Sequence, residues 1–84
     1  GYDLTIGSSG QKVQQMQEQL NRISDNYPAI PKIAADGIYG NQTAEAVRIF
    51  QKIFNLPQTG VTDYATWYKI SQIYVGVSRI AELN

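Results

Sequence analysis

Apolar residues recur at helical spacing in three stretches of this chain, each preceded by residues that favour a turn. In the first, Val13, Met16, Leu20 and Ile23 form one stripe with Gln17 beside it. The outer positions Gln11, Gln14, Gln15, Glu18, Gln19 and Arg22 have the composition of a solvated face. In the second, Thr43, Ala46, Val47, Phe50 and Phe54 fall at i, i+3, i+4, i+7 and i+11, and Gln42, Glu45 and Lys52 face away. In the third, Trp67, Ile70 and Tyr74 mark the inner stripe with Ile73 beside it, while Tyr64, Tyr68, Ser71 and Gln72 lie further out. Ser8 or Ser9 is expected to cap the first helix, Asn41 the second and Thr62 the third, where Asp63 also suits the helix dipole. Asp36-Gly37 is a strong turn pair, Gly40 adds a second permissive position, and Asn55-Leu56-Pro57 stops the second helix. Gly76 is expected to interrupt or end the third, with Ser78 to Leu83 making one more short helical turn and directing Ile80 and Leu83 inward.

Two irregular segments accompany the helices. Gly1 to Ser9 reads as an extended lead-in that Leu4 and Ile6 can pin to a core. Asp25 to Ala35 is a long loop stiffened by Tyr27-Pro28 and Ile30-Pro31, with Tyr27, Ile30 and Ile33 apolar enough to pack it down. The turns repeat as well: Asp36-Gly37-Ile38 superposes on Thr59-Gly60-Val61, 23 residues on, which places Thr43 on Thr66 and Val47 on Ile70. Three turn-plus-helix units, each with one apolar face, satisfy those faces only against one another. The expected fold is all-α: a small three-helix bundle in one domain over residues 1–84, its core at 4–70 and a C-terminal extension at 71–84. Gln17 and Gln51 each follow a core residue directly, and a polar group there needs partners. Each amide is therefore expected to tie down a nearby loop backbone.

Composition narrows the chemistry. Eighty-four residues bury only about 60–65% of their unfolded surface, a small core. Seven basic and seven acidic side chains cancel, so nothing suggests a nucleic-acid footprint or an anionic-membrane surface. No apolar run approaches the ~18 residues of a membrane span, and no secretory signal peptide is visible, as would hold for a domain excised from a longer protein. With no cysteine and no histidine, disulfides, thiol nucleophiles, Ser-His-Asp triads and imidazole or thiolate zinc sites are removed. Carboxylates stand at Asp36, Glu45 and Asp63, but a turn, a solvated face and a helix cap give each a sufficient structural role. No catalytic residue, metal or cofactor is expected, and the chain is read as a monomer.

The pattern Gly7-x-x-Gly10-x-x-Val13-x-x-Met16-Gln17-x-x-Leu20, then Asp36-Gly-Ile-Tyr-Gly40-x-x-Thr43-x-x-Ala46-Val47-x-x-Phe50-Gln51, then Leu56, Gly60-Val61 and Thr66-Trp67-x-x-Ile70, resembles the peptidoglycan-binding domain family. The resemblance spans about Leu4 to Ile70. It implies a non-catalytic three-helix module, extracellular or at the cell wall, that binds bacterial peptidoglycan and holds a covalently linked amidase, peptidase or glycosidase on its polymer. Met16 stands where the family usually has Leu, Tyr39 where it often has Phe, and the first interhelical loop is longer and richer in proline than usual. Similar bundles serve as pro-segments of zinc metalloproteinases, so docking on a partner catalytic domain is the alternative. Ile49, Val75, Val77, Ile80 and Leu83 would supply its apolar surface.

Peptidoglycan presents sugar rings, amides and carboxylates. A surface for it needs aromatic faces and hydrogen-bonding groups in a shallow groove. The candidate site is therefore the Asp36–Thr43 turn with the start of the third helix: Asp36, Ile38, Tyr39, Gly40, Asn41, Tyr64, Trp67 and Tyr68. Competing structural roles are a loop-backbone bond for Asp36, core packing for Trp67, and mutual stacking for Tyr64 and Tyr68.

Overall fold

A computed structural model describes the backbone of residues 3–83 and the side chains through residue 79. Three helices run in chain order among the described residues, α1 (Gln11–Ser24), α2 (Asn41–Ile53) and α3 (Tyr64–Leu83). The three expected stripes meet in one core: Val13, Met16, Ile23, Ala46, Val47, Phe50 and Ile70 are fully buried and Leu20 nearly so. Trp67, Ile73 and Tyr74 pack half-buried at the margin of that core. The packing is between α1 and α3 above all.

The long loop is part of the interior. Ile30 and Ile33 are buried, and Tyr27 meets Phe54 in a T-shaped pair with centroids 5.2 Å apart. Asn21 clamps the loop at two points, its Nδ2 donating to the Ile33 carbonyl at 2.7 Å while its Oδ1 accepts from the Ile33 N–H at 2.9 Å. Ser24 Oγ donates to the Ile30 carbonyl at 2.7 Å. Loop backbone that folds inward must find such partners, because an unpaired buried amide is costly. Lys32 bonds Asp25 across the loop, which holds that exposed carboxyl below its ordinary value of 3.8.

The helix starts differ from expectation. Gly10, at φ 124°, precedes α1, and Ser8 Oγ instead accepts from the Thr5 N–H within the lead-in. Gly40 precedes α2, so Asn41 is its first helical residue and caps nothing. At α3 the cap is Asp63, whose Oδ1 accepts from the Thr66 N–H at 2.8 Å. Thr62 is buried and its hydroxyl faces Tyr39. The second helix does stop where expected: Asn55 takes φ 60° and the Leu56 N–H reaches back to the Gln51 carbonyl at 2.8 Å.

Gly76 does not end the third helix. A helical glycine costs about 1 kcal/mol against alanine, a weakness rather than a stop. Here it is outweighed one residue on: Val77 is buried in the core, and Arg22 Nη2 donates to the Val77 carbonyl at 3.2 Å. The separate turn expected at Ser78 to Leu83 is a continuation of α3, and the side chains of Ile80 and Leu83 lie outside those described. Of the other docking candidates, Ile49 packs half-buried against the core and Val75 is exposed.

Candidate functional site

The site is positioned by one hydrogen-bonding device used twice. Gln17 Oε1 accepts from the Gly37 N–H at 2.8 Å, while its Nε2 donates to the Ile38 carbonyl at 2.9 Å and to Thr43 Oγ1 at 3.0 Å. Gln51 repeats the arrangement on the next turn. Its Oε1 accepts from the N–H groups of Thr59 and Gly60 at 2.9 and 3.0 Å, and its Nε2 donates to the Val61 carbonyl at 3.0 Å and Thr66 Oγ1 at 3.1 Å. Both amides are essentially buried, so each turn is fixed to the helix before it and to the helix after it. Glycine is required at both tethered positions. Gly37 and Gly60 take φ of +78° and +74°, and a Cβ on Gly37 would stand 3.1 Å from the Gly10 carbonyl oxygen.

The lead-in joins the two turns. Leu4 exchanges backbone bonds with Thr62 at 3.0 and 2.8 Å, and further along the Tyr39 N–H donates to the Ser8 carbonyl while the Gly10 N–H donates to that of Gly37. Tyr39 bridges them from inside. Its hydroxyl donates to the Gly60 carbonyl at 2.7 Å and sits 3.1 Å from Thr62 Oγ1.

Tyr39 is thus corrected from a ligand contact to a core residue, with its ring buried and its hydroxyl occupied. A polar aromatic placed beside a turn reads as surface, but here it is the pin between the two turns. Burial pushes its phenol above the ordinary 10.0. The folded state therefore holds the neutral form, and this stabilisation is complete below pH 10.0 and lost as pH rises through the raised folded value. Tyr39→Phe is expected to lower stability by about 1–2 kcal/mol at neutral pH. It should also flatten the alkaline fall, read from urea denaturation midpoints between neutral pH and about pH 11. An equally steep fall in the variant would remove Tyr39 as its source.

The remaining predicted residues divide between two grooves. Asp36, Ile38, Gly40 and Asn41 line a small one of about 190 Å³ at the start of α2. Ile38 is exposed there, and Asp36 Oδ1 accepts from the Ile38 N–H at 3.0 Å, the loop role that competed with binding. Tyr64 and Trp67 line a larger groove of about 580 Å³ at the start of α3, with Asp63 and Thr62 from the same turn, Asp3 and Leu4 from the lead-in, and Lys12 from α1. Tyr68 lines neither groove; it lies one turn along α3 from Tyr64, and the two exposed rings tilt together at 6.4 Å. No groove found among the described residues holds both halves of the predicted set. Asp3 and Lys12 were not singled out in the sequence: Asp3 reaches the groove through the Leu4–Thr62 pairing, which joins positions 58 residues apart, and Lys12 through the packing of α1 on α3. Among the described residues no group of three or more acidic side chains is arranged to hold a metal ion, and no helix is long and apolar enough to cross a membrane.

Three helices carrying two amide-tethered turns, open grooves at the starts of α2 and α3, and an aromatic surface beside one of them make up a small helical binding module. The chain belongs to the peptidoglycan-binding domain family: the family described as "Putative peptidoglycan binding domain" matches residues 9–70, from the lead-in through Ile70. The chain is similar to the zinc D-Ala-D-Ala carboxypeptidase of Streptomyces albus G, 37% identical over 71 residues, which is 83% of this chain and 26% of that protein. It therefore spans about a quarter of the length of that curated relative. It is also similar to the crystal structure of the SleB N-terminal domain, with a TM-score of 0.72, 28% identity, and coverage of 86% of this chain and 92% of that one.

Proposed function

We propose that this chain is a non-catalytic module that recognises bacterial peptidoglycan and keeps a covalently linked cell-wall hydrolase on its polymer, outside the cell or in the wall. What supports this above all is the family match over residues 9–70, which takes in both tethered turns and the Thr62–Trp67 wall of the larger groove. The matched carboxypeptidase is a far longer protein that shares a segment of this kind, consistent with a tethering role beside a catalytic domain. The ligand contacts are Tyr64 and Trp67 in the larger groove, Tyr68 beside it, and Asp36, Ile38, Gly40 and Asn41 in the smaller one. Aromatic faces with amides and carboxylates in a shallow groove suit a polymer of sugars and short peptides.

Sedimentation with purified wall tests the proposal. The isolated domain, acting as a monomer, should co-sediment and release neither reducing ends nor free amines. Tyr64→Ala is expected to weaken retention about tenfold, and Asn41→Ala two- to threefold, with the folded state unchanged because both side chains are exposed. Wild-type protein left in the supernatant would overturn the proposal. The alternative, docking on a partner catalytic domain, keeps exposed Val75 on α3. Buried Val77 and half-buried Ile49 are lost to it, so wall binding is the better supported reading.

A further inference from the structure

The larger groove carries charge of both signs on an aromatic wall. Lys12 enters from the first turn of α1, Asp3 from the lead-in, and Asp63 from the residue before α3. Among the described residues none of the three has an opposite charge within 4.0 Å. Arg22 and Lys32 both reach Asp25 and Arg48 reaches Glu45, while Glu18, Asp36, Lys52 and Lys69 also have no ion pair among the described residues; the groove differs in gathering three such charges of both signs around one cavity. Lys12 is also locally out of place. It sits at the second position of α1, where the helix dipole disfavours a cation, and the first turn holds no acidic residue to offset it. A residue that goes against its local preference without a structural partner is a functional candidate. The floor between these charges is apolar, formed by half-buried Leu4 and Trp67, with the exposed ring of Tyr64 at the edge.

We propose that this groove takes the peptide part of peptidoglycan, at a residue that bears both an amine and a carboxylate: the diamino acid of the stem peptide. The inference rests on the wall-binding reading above. Two carboxylates and two aromatic rings face the ammonium, which both kinds of group attract. Lys12 takes a carboxylate of the peptide, and the methylenes of the diamino side chain lie along Leu4 and Trp67. A neutral glycan strand would leave all three charges unanswered. The complementarity therefore favours peptide over sugar. Asp63 keeps its capping bond to Thr66 through Oδ1 and meets the ligand with its other oxygen.

Calorimetric titration of the whole chain tests this with defined probes: the tripeptides alanyl-γ-glutamyl-lysine and alanyl-γ-glutamyl-diaminopimelate, their side-chain-acetylated forms, and a soluble β-1,4-linked N-acetylglucosamine oligomer. At least one free tripeptide should saturate the protein, and binding should weaken about tenfold on acetylation and about tenfold in Lys12→Gln. It should weaken further as salt is raised. Lys12 is exposed and accepts no structural duty, so Lys12→Gln folds as the parent does, which circular dichroism verifies. Saturation by the sugar oligomer with no response to either tripeptide, while whole wall still sediments the protein, would overturn the peptide assignment and leave wall binding standing. Equal affinity for an unrelated peptide carrying the same two charges would also overturn it, transferring the groove to a protein partner. Failure to sediment with wall at all would overturn the underlying reading and this one together.

Discussion

Gln51→Leu is expected to lower the stability of this domain by about 3–4 kcal/mol. The side chain is 1% exposed and holds two backbone N–H groups, one carbonyl and the Thr66 hydroxyl. Leucine fills a similar volume and supplies none of those bonds. Orphaned backbone groups cost about 1–3 kcal/mol each, and partial opening of the Thr59–Val61 turn to water recovers part of that sum. A chain of this length commands about 4–12 kcal/mol in total, so the variant should sit near the edge of folding. Guanidinium denaturation reads the loss, and amide exchange at Thr59 and Gly60 reads its location. Gln51→Glu separates the two halves of the amide. It keeps the acceptor for both N–H groups but places a charge against the Val61 carbonyl, so it should be destabilised at neutral pH. It should recover as pH is lowered towards about 4, where protonation restores a donor. An unchanged midpoint in Gln51→Leu would end the view that these amides hold the turns.

That role was legible in the sequence, and the reason is local. A glutamine directly after the core residues Met16 and Phe50 stands at the border of an apolar stripe, where it must find partners. The stripes were legible for a similar reason: Val13, Met16, Leu20 and Ile23, or Val47 and Phe50, keep one period over several turns, and burial follows the period. The resemblance to the peptidoglycan-binding family rested on these same positions, and it anticipated both the helical fold and the family.

What escaped is governed by contacts distant in sequence. Thr62 has the propensity of a cap, but its hydroxyl is drawn to Tyr39, 23 residues earlier, and the cap passes to Asp63. Gly76 looks like a stop until Val77 and Arg22 are brought together across 55 residues. The site shows the same division. Tyr64 and Trp67, expected from aromatic groups opening a helix, line a groove there, whereas Tyr39 is drawn into the core because its partner is the far turn. Asp3 and Lys12 carry no local mark that places them beside Asp63; the pairing of Leu4 with Thr62 brings the first there and the packing of α1 on α3 the second. Propensity and period describe a chain segment by segment, whereas a groove made of three segments is a property of their assembly.

Phe50→Ala should be the most damaging substitution in the core, lowering stability by about 3–5 kcal/mol. Its ring is fully buried at the middle of the α2 stripe and packs on Phe54 with centroids 4.6 Å apart. Phe54 in turn forms a T-shaped pair with Tyr27, so one aromatic row runs from the core to the long loop. Removing the first ring leaves a cavity that the helices cannot close without displacing Val47 and Ile70, which are themselves fully buried. Phe54→Ala touches the outer part of the row only. That side chain is half-buried, so about 1–2 kcal/mol is expected, with loss of exchange protection confined to the loop between α1 and α2. Phe50→Leu keeps most of the volume and should cost about 1 kcal/mol. The order Phe50→Ala, Phe54→Ala, Phe50→Leu in denaturation midpoints therefore distinguishes a shared interior from local packing of the loop. If Phe50→Ala cost no more than Phe54→Ala, α2 would be held chiefly by its two tethered turns, and the amide of Gln51 would outrank the ring beside it.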